Sequence, residues 1–317
     1  MAKSIAMERA INIKARQKKK AVLIKKNLSL YFMLLIPLIY LLIFKYIPMG
    51  GLVIAFQDFN IFEGIGKSDW VGFENFTKLI SQAEFWNVFK NTLLISTYKL
   101  VLLFPIPIIV AVFLNEVKVS LLKRSIQTVI YFPHFFSWVV IAGIFFNLLS
   151  TSGGLINDVL TRLGIGPIPF LYDNRFFRMV LVIAEGWKAT GWNAIVYIAG
   201  IAGISQDLYE AASIEGAGRF ERMLYITLPG LMPTIVMILI LNLGHILEAG
   251  TEQILAMYNP LVYDSADVIG TYVYRIGLGK MNYSFSTAVG LFNSVVGFIL
   301  VMAGNYFSRR FNEKSIW

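Results

Sequence analysis

Charged and amide side chains interrupt the long apolar stretches of this 317-residue sequence. Lys99 lies about halfway along one stretch, and Glu185 and Lys188 lie in another, where their three-residue spacing would let them pair on one helical face. Ionisable groups are costly within a membrane, so each predicts a functional site or a structural ion pair. The full set of polar and aromatic candidates for a substrate pathway is Lys99, Glu185, Trp187, Lys188, Trp192, Asn193, Tyr197, Asn242, His245 and Asn293.

These side chains could bind a sugar, because aromatic rings pack against sugar C–H groups while amides and charged groups hydrogen-bond to hydroxyls. The stretch with Trp187, Trp192, Asn193 and Tyr197 supplies both kinds of group. Structural alternatives stay open, since aromatic residues near helix ends often anchor at the membrane interface and a Glu–Lys pair often ties a bundle together. The chain could also form only a passage and leave recognition to another protein.

Other chemistry has little support in the sequence. Cysteine is absent, which excludes disulfides, thiol catalysis and cysteine-ligated metals. His134 and His245 lie on different stretches without a metal or catalytic spacing, so we expect them to pack between helices or line a pore. Gly66-Lys67-Ser68 resembles the end of a phosphate loop, but Ile61 stands where the first glycine belongs. We therefore expect no catalytic residue, no bound metal and no cofactor, and any ATP hydrolysis must come from a partner.

The composition is that of a polytopic membrane protein. Hydrophobic residues make up 57% of the chain and charged residues only 15%, and the mean hydropathy is +0.66. The net charge of +9 is better explained by membrane topology and anionic lipid than by nucleic acid.

Six membrane spans are predicted, so the fold class is all-α. A basic cytoplasmic tail (1–27), a first peripheral helix (28–49) and an external segment (50–87) precede a five-helix core (88–307) and a cytoplasmic tail (308–317). Two loops interrupt the core, one at 151–176 with a short helix at Leu155–Leu163, and a polar one at 248–283. The six spans are Leu28–Ile47, Val88–Leu114 with a break near Pro105 and Pro107, Ser125–Leu149 with Pro133 inside, Phe177–Ile204, Leu231–Leu247 and Ser286–Phe307.

Lys and Arg are concentrated in the two tails, the turn at 115–124 and the segment 205–229. The positive-inside rule therefore places these four parts, including both termini, in the cytoplasm.

The segment 205–229 has the pattern of two short helices joined by glycine. Asp207 and Glu210 are spaced as a capping box that would begin a helix over Leu208–Glu215. Gly216 and Gly218 suit left-handed positions at its end, and a second helix, Arg219–Leu228, would stop at Pro229.

The same segment resembles the EAA loop of the membrane-spanning subunits of binding-protein-dependent ABC importers. The resemblance rests on Glu210-Ala211-Ala212, Glu215-Gly216-Ala217, Ile226-Thr227-Leu228-Pro229 and Pro233. Glu215 stands where Asp is commoner and Met223 where an aromatic residue is usual. The resemblance implies a type I importer permease (MetI-like) fold. It also implies that a partner ATPase is contacted by Glu210, Ala211, Ala212, Glu215, Gly216, Ala217 and Pro229.

A wider resemblance covers about residues 28–317 and points to LplB-like permeases for polysaccharides and oligosaccharides. It implies these partners: a second, paralogous permease in a heterodimer, two ABC ATPase subunits that hold ATP and Mg²⁺, an extracellular solute-binding (lipo)protein, an oligosaccharide and membrane lipid, in a bacterial cell membrane. It is carried by Lys90-Asn91-Thr92, Phe104–Glu116, Gly191-Trp192-Asn193, Tyr258-Asn259-Pro260 and Thr287–Gly297.

Three alternatives remain at this point. An importer of this type could carry a peptide, an amino acid or an ion instead of a sugar. An ion-coupled secondary transporter would normally show more spans or an inverted repeat. A membrane-embedded enzyme would need a nucleophile–base pair or a metal cluster.

Overall fold

The computed structural model of the protein describes residues 26–312, with side chains to Tyr306. Residues 1–25 of the basic tail predicted at 1–27, and the last residues, 313–317, lie outside this range. The α-helices are α1 (Leu28–Leu41), α2 (Ile47–Met49), α3 (Glu74–Ser81), α4 (Ala83–Leu103), α5 (Pro105–Glu116), α6 (Ser120–Tyr131), α7 (Trp138–Leu149), α8 (Leu155–Arg162), α9 (Asn174–Ala202), α10 (Gln206–Ile214), α11 (Arg219–Arg222), α12 (Leu228–Gly244), α13 (Thr251–Met257), α14 (Tyr263–Ala266), α15 (Ile269–Tyr274) and α16 (Tyr283–Asn312).

Shorter elements connect these helices. The strands β1 (Gln57–Asp58) and β2 (Asp69–Trp70) pair antiparallel, with Gln57 opposite Trp70. The described residues also include the π-helical segments Leu42–Tyr46, Met223–Thr227 and Arg275–Gly279 and the 3₁₀ segments Gly50–Phe56, Phe132–Phe135 and Pro260–Val262.

The chain divides into two compact units. The first comprises Met1–Ile54 and Phe59–Ser68, and its described part is dominated by α1, none of whose side chains is buried. The second comprises Ala55–Asp58 and Asp69–Trp317 and contains the remaining long helices.

Four continuous helical stretches in the described chain are long and apolar enough to cross a membrane: Leu28–Phe56, Ala83–Glu116, Arg219–Gly244 and Tyr283–Tyr306. A fifth crossing results if the pair Ser120–Phe135 and Trp138–Leu149, bent by 101°, is counted as one span. The predicted fourth span corresponds to α9, which has 29 residues but carries Glu185 and Lys188 among its apolar residues. The chain is thus a multi-pass membrane protein, and the count of six spans stays a prediction.

Helix α9 lies at the centre of the second unit. Its buried residues Leu181 and Ala184 pack with Ile141 of α7 and Ile254 of α13, while Tyr197 belongs to a second cluster with α5 and α12. Gly191 allows α9 to approach the backbone of α6, because a Cβ there would overlap the Ile130 carbonyl group.

The prediction of a polar loop at 248–283 is wrong, because this segment is helical and partly buried. This segment folds into short helices whose residues Ile254, Met257, Val262 and Val268 are fully buried. Its residues Gln253, Asp267 and Thr271 are buried and hydrogen-bonded inside the protein, so their polarity does not indicate solvent exposure.

Two details of the segment 205–229 also differ from expectation. Ser205, rather than Asp207, is the N-cap, since its hydroxyl accepts a hydrogen bond from the Asp207 N–H. Gly216 is left-handed, at φ +86°, as expected, but Gly218 is extended, at φ −66°.

The second helix of this segment does not stop at Pro229. Helical structure continues from Arg219 to Gly244 because the π-helical turn Met223–Thr227 precedes the proline. Proline lacks an N–H and crowds the preceding turn, and a widened turn accommodates both effects.

Candidate functional site

A cavity of about 360 Å³ lies between α4, α5, α9, α12 and the turn 245–250. Six of the ten pathway candidates line it, although they come from three helices and one turn. They are Lys99, Glu185, Asn193, Tyr197, Asn242 and His245. The remainder of the lining includes Ser96, Thr190 and Glu248 together with apolar residues of α4 and α5, so the cavity has both polar and apolar walls.

Lys99 is the most highly connected of these residues. Its ammonium lies 2.5 Å from Gln253 Oε1, 3.0 Å from the Ala249 carbonyl oxygen and 3.4 Å from Glu185 Oε2. Glu185 therefore pairs with Lys99 on α4, and the predicted pair of Glu185 with Lys188 is wrong. Both are on α9, but Lys188 is engaged elsewhere and Lys99 reaches Glu185 from a neighbouring helix.

The Lys99 ammonium also holds the turn that follows α12. Ala249 adopts a left-handed conformation at φ +51°, which is uncommon for a residue with a Cβ, and Gly250 follows at φ +77°. A side chain at position 250 would collide with Lys99 Nζ, so glycine is required there for both its φ and its size. The turn and the lysine thus fit each other closely at one wall of the cavity.

Three of the remaining candidates, Trp187, Lys188 and Trp192, lie on α9 outside the cavity. Lys188 donates hydrogen bonds to the carbonyl oxygens of His134 and Phe136, and Trp192 stacks on the His134 ring with 4.2 Å between ring centroids. The Trp187 ring packs near the Phe145 ring, with 6.2 Å between the ring centroids.

Asn293 on α16 does not line the cavity either. Its buried Oδ1 has no hydrogen-bond partner among the described residues.

The two histidines form no joint site. His134 belongs to the break between α6 and α7, and His245 Nδ1 lies 2.8 Å from Glu248 Oε1 at the cavity. Within residues 26–312, no group of three or more His, Asp or Glu side chains could hold a metal ion.

The segment with the EAA-like motif presents most of its predicted coupling residues at the surface. Glu210, Ala211, Glu215, Gly216 and Pro229 are exposed, and Ala212 and Ala217 are half-buried. Large apolar side chains beside them are exposed too, with Ile214 at 87% and Phe220 at 72%.

Two hydrogen bonds join α10 to the helical stretch Arg219–Gly244. Tyr209 Oη lies 2.9 Å from Thr227 Oγ1, and Arg222 donates to Ser213 Oγ at 2.7 Å. A displacement of α10 would therefore also move Thr227, the residue that directly precedes α12.

Several polar residues outside the predicted substrate pathway hold the buried segment 248–283 in place. Gln253 is fully buried between the Lys99 ammonium and the Leu181 carbonyl oxygen, to which it donates at 2.7 Å. Asn91 donates to the carbonyl oxygens of Asp264 and Asp267 and accepts from Arg178. The apolar run Ile254–Met257 beside Gln253 is a signal that could have identified this segment as buried.

Arg275 joins the segment to the start of α4. It lies 2.5 Å from Asp267 Oδ2 and 2.8 Å from Glu84 Oε1, and its guanidinium also faces the rings of Tyr263 and Tyr272. Burial lowers the pKa of Arg275, but hydrogen bonds and charges from Glu84 and Asp267 outweigh that effect and raise the pKa above its ordinary value.

Comparisons with known proteins agree with this architecture. The family described as "Binding-protein-dependent transport system inner membrane component" matches residues 103–313. The chain is 43% identical over 304 residues, 95% of each chain, to the polygalacturonan/rhamnogalacturonan transport system permease protein YteP of Bacillus subtilis (strain 168). It is also 43% identical to Protein LplB of the same organism, over 93% of this chain and 92% of LplB.

Two solved structures are similar throughout. One is a chain of a bacterial ABC transporter involved in the import of the acidic polysaccharide alginate, at 41% identity, a TM-score of 0.84 and coverage of 91% of this chain and 98% of that chain. The other is a chain of a bacterial alginate ABC transporter in complex with an alginate pentasaccharide-bound periplasmic protein, at 40% identity, a TM-score of 0.84 and coverage of 92% and 98%.

Proposed function

The chain belongs to the family of binding-protein-dependent transport system inner membrane components, and from this premise we propose that it lines the translocation pathway of an ATP-driven oligosaccharide importer. The observation that carries the proposal is the cavity between α4, α5, α9 and α12, where amide, carboxylate and phenol groups face a space of about 360 Å³. That volume lies at the lower end of the usual range for small-molecule sites. The names of the similar proteins, which refer to polygalacturonan, rhamnogalacturonan and alginate, support a carbohydrate cargo.

The pathway residues are Asn193, Tyr197, Asn242 and His245 together with Glu185, which Lys99 holds. Amides and the tyrosine hydroxyl both donate and accept hydrogen bonds, as sugar hydroxyls require. The Tyr197 ring is largely buried, so its contribution is a polar edge rather than an open stacking face. Trp187, Lys188 and Trp192 stand apart from this cavity and act in helix packing, and Asn293 stands apart from it as well.

Coupling to ATP occurs through α10. Glu210, Ala211, Ala212, Glu215, Gly216, Ala217 and Pro229 form the contact with an ABC ATPase, which binds ATP and Mg²⁺ in place of this chain. The exposed side chains of Ile214 and Phe220 add apolar area to that contact. Movement of the ATPase displaces α10, and the Tyr209–Thr227 hydrogen bond passes the displacement to α12, which forms one wall of the cavity.

The assembled importer contains two permeases, of which the second is a paralogue of this chain, and two ATPase subunits. Segment 205–229 and both termini face the cytoplasm, in agreement with the concentration of Lys and Arg there. An extracellular binding protein delivers the oligosaccharide from the opposite side.

Affinity purification of the chain from its native membrane in mild detergent, followed by mass spectrometry, tests this proposal. We expect a P-loop ATPase and a second EAA-type permease to copurify, and a sugar-binding protein after crosslinking. The chain with Glu210→Arg should lose the ATPase but retain the second permease. Recovery of the chain without any ATPase or second permease would contradict the proposal.

A further inference from the structure

Helix α8 presents its apolar side chains to the outside of the protein. Leu155, Val159 and Leu163 follow one another at intervals of four residues, so they lie along one face of the helix and of the turn that ends it. Their side chains are 64%, 52% and 69% exposed, and Ile156 beside them is exposed as well. The apolar face of a short helix normally packs on a core, so its exposure here points to a contact with something outside the chain.

The polar side of α8 is the side that packs on the protein. Asn157 is buried, and its side-chain amide donates to the carbonyl oxygens of Leu149, at 2.9 Å, and Ile168, at 3.0 Å. Its Oδ1 accepts from the Ile168 N–H at 2.7 Å. A helix has 3.6 residues per turn, which places Asn157 nearly opposite the line from Leu155 to Leu163. These bonds fix the rotation of α8, and the apolar face could turn inward only if they were broken.

Both ends of α8 are tied to helices of the membrane-crossing part. Leu149, which Asn157 contacts, is the last residue of α7, the second half of the bent helix pair that can form one crossing. After α8 the loop 163–173 leads into α9, the predicted fourth span, and the exposed Tyr172 is of a residue type common at membrane interfaces. The predicted topology places this region on the external side. Helix α8 therefore lies where α7 and α9 leave the membrane.

We propose that α8 is an interfacial anchor whose apolar face, formed by Leu155, Ile156, Val159 and Leu163, lies on the external surface of the lipid bilayer. The face contacts the upper part of the acyl chains. Asp158 and Arg162 are exposed at its margin, within reach of water and of the lipid headgroups. The inference goes beyond the proposed function, because it assigns a lipid contact to a helix that takes no part in the cavity or in the contact with the ATPase.

The side chains of this face favour lipid over a second protein. All four are aliphatic, whereas the cores of protein interfaces are enriched in aromatic residues, Met and Arg. Leu and Val are also under-represented among the residues that dominate binding between proteins. Ile165, just beyond α8, adds another exposed aliphatic side chain. The long side chain of Arg162 can extend from the margin of the face to a lipid phosphate.

Single-cysteine labelling tests the inference, because the chain has no cysteine of its own. Val159→Cys and Leu163→Cys place a bimane fluorophore on the apolar face, and Asp158→Cys, the matched control, places it beside that face on the same helix. The complete importer, with any cysteine of its other chains replaced by serine, is reconstituted in nanodiscs. Two quenchers are compared: a lipid that carries a nitroxide near the top of its acyl chain, and iodide in the water.

We expect the lipid quencher to act on the two apolar-face variants and iodide to act on the control. Quenching by the nitroxide lipid should be roughly threefold stronger at positions 159 and 163 than at position 158, since an interfacial helix buries its apolar face about 5–10 Å into the boundary of headgroups and acyl chains. Ile36→Cys, at an exposed position of α1, is the positive control for lipid contact. Thermal melting shows whether each variant complex is intact, and either of the two apolar-face variants suffices for the test.

Three results would overturn the inference. Equal iodide quenching at positions 158 and 159 would show that the face lies in water. Protection of position 159 from both quenchers would show that another subunit covers it. Loss of lipid quenching on addition of the loaded binding protein would assign the face to that protein. The measurement requires no transport, so its failure leaves the proposed function standing, and an importer that moves no oligosaccharide leaves the lipid contact standing.

Discussion

The Lys188 ammonium donates a hydrogen bond of 2.8 Å to the carbonyl oxygen of His134, across the break between α6 and α7. It also donates to the Phe136 carbonyl oxygen and lies 5.3 Å from the centroid of the Trp138 ring. A helix end exposes carbonyl groups without partners and carries partial negative charge, so a cation there is favourable. Lys188 therefore stabilises the 101° bend between the two helical pieces.

Replacement of Lys188 by Met should destabilise the protein. Two partly buried carbonyl groups would lose their donor, and the cost should lie at or below the roughly 1–3 kcal/mol of a fully buried unsatisfied group. The melting temperature of the detergent-solubilised protein should fall. Lys90→Met on α4 is the matched control, since Lys90 is exposed, and it should melt within experimental error of the wild type. Equal melting of the Lys188 and Lys90 variants would show that the bend does not depend on Lys188.

Gly191→Ala should disrupt the contact of α9 with α6. The added Cβ would overlap the backbone carbonyl of Ile130, which cannot rotate away as a side chain can. Overpacking of a core typically costs 1–3 kcal/mol, and a backbone clash belongs at the upper end of that range. Gly290→Ala is the control, because no atom lies within 4 Å of the Cβ position at 290, in α16. Equal stability of the Gly191→Ala and Gly290→Ala variants would contradict the close approach of α9 to α6 at Gly191.

Gly216→Ala should weaken coupling to the ATPase. Gly216 has φ +86°, and an alanine in that region costs roughly 1–2 kcal/mol, so the joint after α10 would change its angle. We expect a several-fold loss of ATP hydrolysis stimulated by the loaded binding protein.

Gly218→Ala provides the comparison for this variant. Its φ of −66° suits alanine, and an added Cβ would meet only Glu221 Oε2, at an ordinary 3.5 Å. Stimulated ATP hydrolysis should remain near the wild-type rate. If Gly216→Ala behaved like Gly218→Ala, the angle at Gly216 would have no part in coupling.

Asp267→Asn should loosen the segment 248–283. Asp267 is 3% exposed, and its carboxylate binds Arg275 at 2.5 Å and accepts from Thr271 Oγ1 at 2.6 Å. Breaking a buried ion pair costs about 3–5 kcal/mol, and the loss here should be smaller because Arg275 keeps Glu84. Protection of backbone amides in this segment from hydrogen exchange should fall. Asp264→Asn, at an exposed position, should retain it, and equal protection in both variants would contradict a structural role for the Asp267–Arg275 pair.

The sequence predicts those features that depend on local pattern. Apolar length and flanking turn residues predict α4, α9, α12 and α16, and the left-handed glycine after α10 follows from the residue type at position 216. The break near Pro105 is likewise local, because a proline removes one helical hydrogen bond and clashes with the preceding turn.

Features that depend on distant partners could not be predicted. Glu185 is three residues from Lys188 along α9 but pairs with Lys99, which is 86 positions away. The continuation of the helix through Pro229 required a π-helical turn that residue preferences do not reveal. Polar residues of the segment 248–283 predicted exposure, but Gln253 and Thr271 are buried because tertiary hydrogen bonds satisfy them.

The most direct test of the account is transport by the purified complex. The chain, its paralogous permease, the ATPase and the binding protein are reconstituted in proteoliposomes, and accumulation of a labelled oligosaccharide is measured with and without ATP. We predict accumulation that requires both ATP and the binding protein and that Glu210→Arg abolishes. Accumulation that proceeds without ATP and collapses when ion gradients are dissipated would contradict the account.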